Sequence, residues 1–123
     1  MAGLGELERR VMDVLWGSIG KPLTGREVAD QIPDRAYTTV LTILDRLRRK
    51  NLVERSTEGK SHRFAANASR ETYMAELMVE ALGSVKDRRA VLVRFAAVVS
   101  AEEAVVLRQA LEALPDEPGR KKP

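Results

Sequence analysis

Threonine and arginine side chains recur along one side of segment 36–51, AYTTVLTILDRLRRKN, at the spacing of helical turns. At about 100° per residue, this side carries Thr39, Thr42, Arg46, Arg49 and Lys50. The opposite side carries Val40, Leu44 and Leu47, with Leu41 at its edge. Threonine suits base edges and the thymine methyl group, and arginine can bind guanine or phosphate with two hydrogen bonds. The pattern predicts an amphipathic helix that reads DNA, with a merely solvated surface helix as the alternative.

The charge distribution favours the DNA-reading interpretation. The whole chain has a net charge of +3, but residues 35–63 alone carry +5, from eight Lys/Arg and three Asp/Glu. Residues 1–34 sum to −2 and residues 64–119 to −3. Basic residues clustered in one module of a nearly neutral protein are typical of phosphate binding.

The elements before this helix are predicted to position it. Apolar spacing predicts a first helix over Glu6–Trp16, and Thr24 with Glu27 forms a capping box that starts a short second helix ending before Pro33. Thr38 is the expected N-cap of the third helix. This order of helices is that of a helix-turn-helix.

A β-hairpin is predicted to follow the reading helix. LVERS and SHRFAA alternate in polarity around a turn at Gly59. The hairpin would be a wing, and Lys60 and Arg63 are its expected DNA contacts. His62 is expected to lie on the wing surface. The predicted fold is therefore mainly α with a small β-hairpin, a winged helix-turn-helix domain over 1–67.

Helical apolar spacing resumes after Ser69 and predicts a helical dimerisation region over 68–114. A second capping box, Ser100 with Glu103, starts its last helix. The apolar stripes have too little core of their own, so a second copy of the chain is the expected partner, with folding back onto the first domain as the alternative. The expected interface residues are Met74, Leu77, Met78, Leu82, Phe95, Leu107, Leu111 and Leu114. Residues 115–123 are Pro-, Gly- and charge-rich and are expected to form a disordered tail.

Several classes of function are poorly supported by the composition. The chain has no cysteine and one histidine, so no metal site, cofactor or catalytic constellation is expected, and the protein is not expected to be an enzyme. No apolar run approaches the length that spans a membrane, and no signal-peptide core is present, so a cytoplasmic protein without membrane insertion is expected.

Three segments resemble the BlaI/MecI penicillinase repressors, winged-helix regulators of bacterial antibiotic-resistance genes. They are GELERRVMDVLW, AYTTVLTILDRLRRKNLVER and KSHRFAA, and the resemblance continues to about Leu114. It implies a cytoplasmic homodimer that binds inverted repeats, commonly containing TACA and TGTA, and blocks transcription. It also implies that Thr38, Thr39, Thr42 and Arg46 enter the major groove.

The same resemblance implies a way of relieving repression. In this family a membrane-bound β-lactam sensor protease leads to cleavage of an Asn-Phe bond in the dimerisation region. The matching bond here joins Arg94 to Phe95, so arginine replaces the asparagine. Helical spacing from Val91 and Leu92 also suits Phe95 to a core or interface.

Repression of β-lactam resistance or related genes by a homodimer on an operator is the leading functional hypothesis. A second hypothesis keeps DNA binding but relieves it by a small molecule bound between the wing domain and the dimer helices. A third is a winged-helix module that binds protein and never DNA. The basic reading side argues against the third.

Overall fold

The chain separates into two units, Met1–Glu80 and Ala81–Pro123, and the structure, a computed structural model, describes residues 3–115. The elements are α1 (Glu6–Trp16), β1 (Leu23–Thr24), α2 (Gly25–Asp30), α3 (Tyr37–Arg49), β2 (Val53–Glu58), β3 (Ser61–Ala66), α4 (Arg70–Gly83), α5 (Arg88–Val98) and α6 (Ala101–Ala113). The boundary between the units falls within α4, whereas the sequence predicts one at 67/68, directly after β3. Of the predicted tail, only Pro115 lies among the described residues.

The first helix, α1, is confirmed with its predicted bounds. The Glu8 carboxylate accepts a hydrogen bond from the Gly5 backbone N–H at 3.0 Å, which satisfies one of the free donors at the helix start. Four side chains of α1 enter the core: Val11, Met12, Leu15 and Trp16. Helix α1 therefore supplies the surface against which the rest of the first unit packs.

The capping box of α2 is also confirmed. The Glu27 N–H donates to Thr24 Oγ1 at 3.1 Å, and the Thr24 N–H donates to Glu27 Oε1 at 2.8 Å. The predicted N-cap of α3 is wrong, because the cap is Ala36, which makes no side-chain hydrogen bond. Thr38 lies inside the first turn, where its carbonyl accepts a hydrogen bond from the Thr42 hydroxyl at 3.0 Å.

Helices α2 and α3 approach closely at Gly25. A Cβ atom on Gly25 would lie 2.5 Å from Leu41 Cδ2 and 3.8 Å from Tyr37 Cε1. Glycine is required for this separation unless Leu41 moves, since real Cβ contacts are longer. The start of α2 therefore lies directly on the first turns of α3.

The turn between α2 and α3 is fastened to α1 by an ion pair. Arg10 donates two hydrogen bonds to the Asp34 carboxylate, at 2.9 and 2.6 Å. This contact lowers the pKa of Asp34 from 3.8 to about 2. A two-bond contact of this kind fixes orientation as well as distance, so the turn is held at one angle to α1.

The predicted hairpin is present and belongs to a sheet of three strands, in the order β1-β3-β2. Both pairings are antiparallel; Leu23 is opposite Phe64, and Thr57 is opposite His62. Sequence reasoning missed β1, because two residues are too few for an alternating pattern to be recognised. This strand ties the wing to the start of α2.

The core of the first unit lies between α1, α2, α3 and the sheet. Val40, Leu44 and Leu47 of α3 are completely buried there, and Ile43 joins them. The Trp16 indole N–H donates to the Ala68 carbonyl at 3.1 Å, and its ring lies 5.5 Å from that of Tyr73. These two contacts attach the start of α4 to α1.

The second unit contains the end of α4 with α5 and α6, and its apolar side chains are mostly exposed. Among the residues of α5 and α6, all of which the structure describes, none is buried. The capping box of Ser100 with Glu103 is confirmed. Within residues 3–115, no helix is long and apolar enough to cross a membrane.

The Arg10–Asp34 ion pair predicts a specific dependence of stability on pH. Because the folded-state pKa of Asp34 is lowered, its contribution to stability is complete above about pH 4 and is lost as the pH falls through about 2. The unfolding free energy of the wild type, measured by urea denaturation, should therefore fall between about pH 4 and pH 2, and that of Asp34→Asn should fall less over the same range. Asp30→Asn, at the exposed end of α2, is the control. An unchanged pH profile in Asp34→Asn would contradict the assignment.

Candidate DNA interface

The two sides of α3 are separated as predicted. Its apolar side is the buried one described above, and on the other side Thr38, Thr42, Arg46 and Arg49 are exposed, with Thr39 half-buried. The Thr42 hydroxyl donates to the Thr38 carbonyl, so its oxygen is left to accept hydrogen bonds. Helix α3 thus presents hydroxyls, methyl groups and a guanidinium on one side.

Most of the positive charge at the end of α3 is paired within the chain. Asp45 accepts from Arg48 and from Arg49, each at 2.9 Å. The Lys50 ammonium lies 2.7 Å from Glu8 Oε2, and this hydrogen bond is the main reason that the pKa of Glu8 is lowered. Lys50 therefore fastens the end of α3 to α1. The Lys50 side chain is 40% exposed, and that of Glu8 only 9%.

Arg46 is the exception in this group. It is exposed, and within the described part of the chain no carboxylate lies within 4 Å of its guanidinium. Its charge acts on Glu8 only at a distance, where it helps to lower the pKa of that carboxyl. All donors of the Arg46 side chain are thus available to an external acceptor.

The two predicted wing contacts differ in their surroundings. Lys60 is exposed at the hairpin tip beside Gly59, which has a φ of +62°. Arg63 is half-buried, with its guanidinium 3.1 Å from Glu58, 3.6 Å from Glu27 and 3.4 Å from the Pro22 carbonyl. The geometry gives Arg63 a role in holding the wing against the start of α2. His62 is exposed and pairs with the Thr57 hydroxyl at 3.2 Å.

The comparison with known proteins identifies the class of regulator. The family model described as penicillinase repressor matches residues 4–113. The transcriptional regulator BlaI of Mycobacterium tuberculosis, strain CDC 1551 / Oshkosh, is 44% identical over 126 aligned positions, covering 98% of this chain and 91% of the relative. The same regulator of strain H37Rv matches with the same values.

The chain belongs to the penicillinase repressor family. It is a transcriptional repressor of the BlaI type and not an enzyme, because the family is one of transcriptional regulators. Within the residues that the structure describes, no group of three His, Cys, Asp or Glu is placed to hold a metal ion.

Solved structures show the same fold at low sequence identity. A MarR family protein from Bacillus stearothermophilus aligns with a TM-score of 0.51 and 21% identity, covering 90% of this chain and 72% of its own. A MepR mutant of S. aureus bound to an oligodeoxyribonucleotide aligns with a TM-score of 0.50 and 20% identity, covering 89% and 75%. The winged-helix fold of this penicillinase repressor is therefore shared with those regulators.

Ion pairing divides the basic residues of the repressor's winged domain in a way that the sequence does not reveal. Between residues 20 and 63, where every residue is described, five cations have no carboxylate within 4 Å: Lys21, Arg26, Arg46, Arg55 and Lys60. Only Arg46 and Lys60 of these were predicted as contacts. Arg49, Lys50 and Arg63 were predicted, but they are held by carboxylates of the chain. Asp45 pairs with Arg49 one turn away on the same helix, whereas Glu8 and Glu27 are brought to Lys50 and Arg63 by the tertiary fold.

A polar groove of about 740 Å³ lies elsewhere in the first unit. Trp16, Leu52, Arg48 and Tyr73 are among its lining residues. The Tyr73 hydroxyl is buried without a hydrogen-bond partner in the described part of the chain. Val53, Glu54 and Arg55 of β2 and Tyr73 and Glu76 of α4 also line it, so the groove lies between the wing and the first helix of the predicted dimerisation region, where the small-molecule hypothesis expects a pocket.

The pairing of Lys50 with Glu8 predicts that Lys50 acts mainly on stability. Lys50→Met leaves the Glu8 carboxylate with little exposure and only the Gly5 N–H as a partner, which should cost about 1–3 kcal/mol of unfolding free energy in urea at neutral pH. Arg46→Met removes the same charge from an exposed site and should stay within about 0.5 kcal/mol of wild type. Equal stabilities for the two variants would show that the ion pair contributes nothing.

Proposed function

We propose that this repressor binds an inverted-repeat operator as a homodimer, with α3 of each protomer in the major groove. The observation that carries the proposal is the exposed side of α3, where Thr38, Thr42 and Arg46 stand opposite a completely buried apolar side. A helix in the major groove needs short hydrogen-bonding side chains and a guanidinium near base edges. Thr39 lies at the border of this surface.

Of the basic residues proposed to contact DNA, Lys60 and Arg46 are the two that are free to do so, since neither has an ion-pair partner among the described residues. Lys60 at the wing tip suits phosphate, because a flexible ammonium binds as a point charge. Arg49, Lys50 and Arg63 would have to leave Asp45, Glu8, Glu58 and Glu27 to bind DNA. We therefore assign Lys50 and Arg63 to positioning the reading helix and the wing.

Exposed apolar residues support the homodimer. In the second unit Val98 is 76% exposed, Leu111 60% and Leu107 43%. Contiguous exposure of large apolar side chains is typical of a surface that another chain covers. Met74 and Leu77, also predicted at the interface, pack against the core of the first unit. The proposed interface therefore rests on Met78, Leu82, Phe95, Leu107, Leu111 and Leu114.

Relief of repression is proposed to act on this interface. The Arg94–Phe95 bond lies in the middle of α5, with Arg94 exposed and Phe95 half-buried. A protease in a β-lactam sensor pathway would need α5 to unfold locally before it could reach the bond. Local opening of this kind has a low cost in helices with few buried contacts, and α5 has no buried residue. The proposed targets are genes of β-lactam resistance or related genes.

Loss of the Arg46 side chain tests whether α3 reads DNA. Arg46→Ala should weaken binding to a duplex carrying a TACA/TGTA inverted repeat by about 1–3 kcal/mol, and weaken binding to a scrambled duplex less. Fluorescence anisotropy across a salt series measures both. Arg46→Lys keeps the charge but loses the paired donors. It should therefore restore wild-type affinity for the scrambled duplex but not for the inverted-repeat duplex.

Arg9→Ala is the charge-matched control, because Arg9 lies on α1 with its guanidinium 3.9 Å from Asp13. It should bind both duplexes as wild type does. Equal losses in Arg46→Ala and Arg9→Ala would remove α3 from the interface. Absence of DNA binding by the wild type at low salt would instead favour a protein-interaction module.

A charged substitution in α6 tests the homodimer. Leu111→Glu should give a monomer by light scattering, because it places a charge in the proposed apolar interface. The monomer should bind the operator duplex far more weakly, since it has half of the phosphate contacts. Gln109→Glu places the same charge on an exposed position of the same helix and should remain dimeric. A wild-type chain that is itself monomeric would overturn this part of the proposal.

A further inference from the structure

Arg26 is a cation that neither the sequence motifs nor the proposed base-reading set includes. It is exposed in the first turn of α2, and its Cζ atom lies 3.9 Å from the centroid of the Tyr37 ring. Tyr37 is half-buried and is the first residue of α3. The two helices of the helix-turn-helix are thus joined at their starts by a guanidinium stacked on an aromatic ring.

The backbone on both sides of this contact is fixed. Gly25, adjacent to Arg26, packs so closely on α3 that an added Cβ would lie 2.5 Å from Leu41 Cδ2. The capping box of Thr24 with Glu27 sets the first turn of α2. Arg26 therefore starts from a defined position, and the ring of Tyr37 limits the directions that its side chain takes.

Stacking leaves the hydrogen-bonding edge of the Arg26 guanidinium open. An aromatic ring contacts the flat face of the group, whereas the N–H donors point outward in its plane. Within the described residues no carboxylate lies within 4 Å of Arg26, in contrast to Arg63 or Lys50. The unpaired donors and positive charge of Arg26 are therefore available to an acceptor outside the chain.

We infer that Arg26 binds a phosphate of the DNA backbone and that Tyr37 is its positioning residue. The inference rests on the proposed insertion of α3 into the major groove, because Tyr37 immediately precedes Thr38 on that helix. In helix-turn-helix proteins the helix before the reading helix crosses the backbone, which is where Arg26 lies. A side chain held in place before binding loses less conformational freedom on binding.

The salt dependence of DNA binding tests the phosphate contact. Between 50 and 200 mM salt each phosphate contact accounts for about a 3.5-fold loss of affinity. If two protomers bind, Arg26→Ala removes two such contacts. Over this salt range the affinity of the wild type should therefore fall by a factor about 12 times larger than that of Arg26→Ala. At low salt it should weaken binding to the inverted-repeat duplex and to the scrambled duplex by the same factor. Arg9→Ala is again the matched control.

Substitutions of Tyr37 test the positioning role. Tyr37→Phe keeps the ring and should bind DNA as wild type does, whereas Tyr37→Leu should weaken binding about two- to five-fold per protomer. In an Arg26→Ala background, Tyr37→Leu should have no further effect on DNA affinity. Thermal unfolding of each variant checks that the fold is kept, and if Tyr37→Leu is unfolded, Tyr37→Met replaces it.

The outcomes separate this inference from the proposed function. If Arg46→Ala impairs operator binding while Arg26→Ala keeps the wild-type affinity and salt slope, the phosphate contact is overturned and the proposed function stands. If Arg26→Ala loses affinity for the operator duplex but not for the scrambled duplex, Arg26 reads bases, and the phosphate contact is also overturned. An equal effect of Tyr37→Leu with and without Arg26 would overturn the positioning role. Absence of wild-type DNA binding would overturn the proposed function itself.

Discussion

The burial of one side of α3 is the constraint on which the rest of the structure depends. Val40, Leu44 and Leu47 are completely buried against the core, so the rotation of α3 about its own axis is fixed. Once that rotation is fixed, Thr38, Thr42 and Arg46 must face outward. The Arg10–Asp34 ion pair then fastens the turn before α3 to α1, and the Lys50–Glu8 ion pair fastens the C-terminal end of α3 to α1. Reading side chains are thus oriented by contacts made behind them.

Carboxylates of the chain determine which basic side chains are free to bind DNA. Residues 35–63 carry a net +5, yet Asp45, Glu8, Glu27 and Glu58 occupy several of their cations. Ion pairs fix orientation as well as charge, and a phosphate would have to displace the carboxylate first. Net charge therefore overstates the number of available contacts, whereas exposure without a partner identifies five cations: Lys21, Arg26, Arg46, Arg55 and Lys60.

Sequence patterns predicted the elements well because those patterns are local. Helix α1, both capping boxes, the hairpin turn at Gly59 and the two sides of α3 each follow from residues within one or two turns of each other. One local prediction fails, since Ala36 and not Thr38 is the N-cap of α3, and the other misses are contacts between distant segments. The pairing of β1 with β3 joins residues 23–24 to residues 63–64, and the stacking of Arg26 on Tyr37 joins two helices. Periodicity carries no information on such pairs.

Because the proposed repressor has few unpaired cations, its affinity for DNA is controlled most effectively through formation of the dimer. If all five unpaired cations of the winged domain bind phosphate, one protomer has a salt slope of about 4.5 and a dimer about 9. A fourfold rise in salt then weakens the monomer about 500-fold and the dimer about 10⁵-fold, so each electrostatic contact matters near physiological salt. Separating two protomers removes half of these contacts at once, whereas a single substitution in the reading side removes one contact from each protomer. In the proposed homodimer, the exposed apolar side chains of α5 and α6 are therefore where a signal would have the greatest effect on DNA binding.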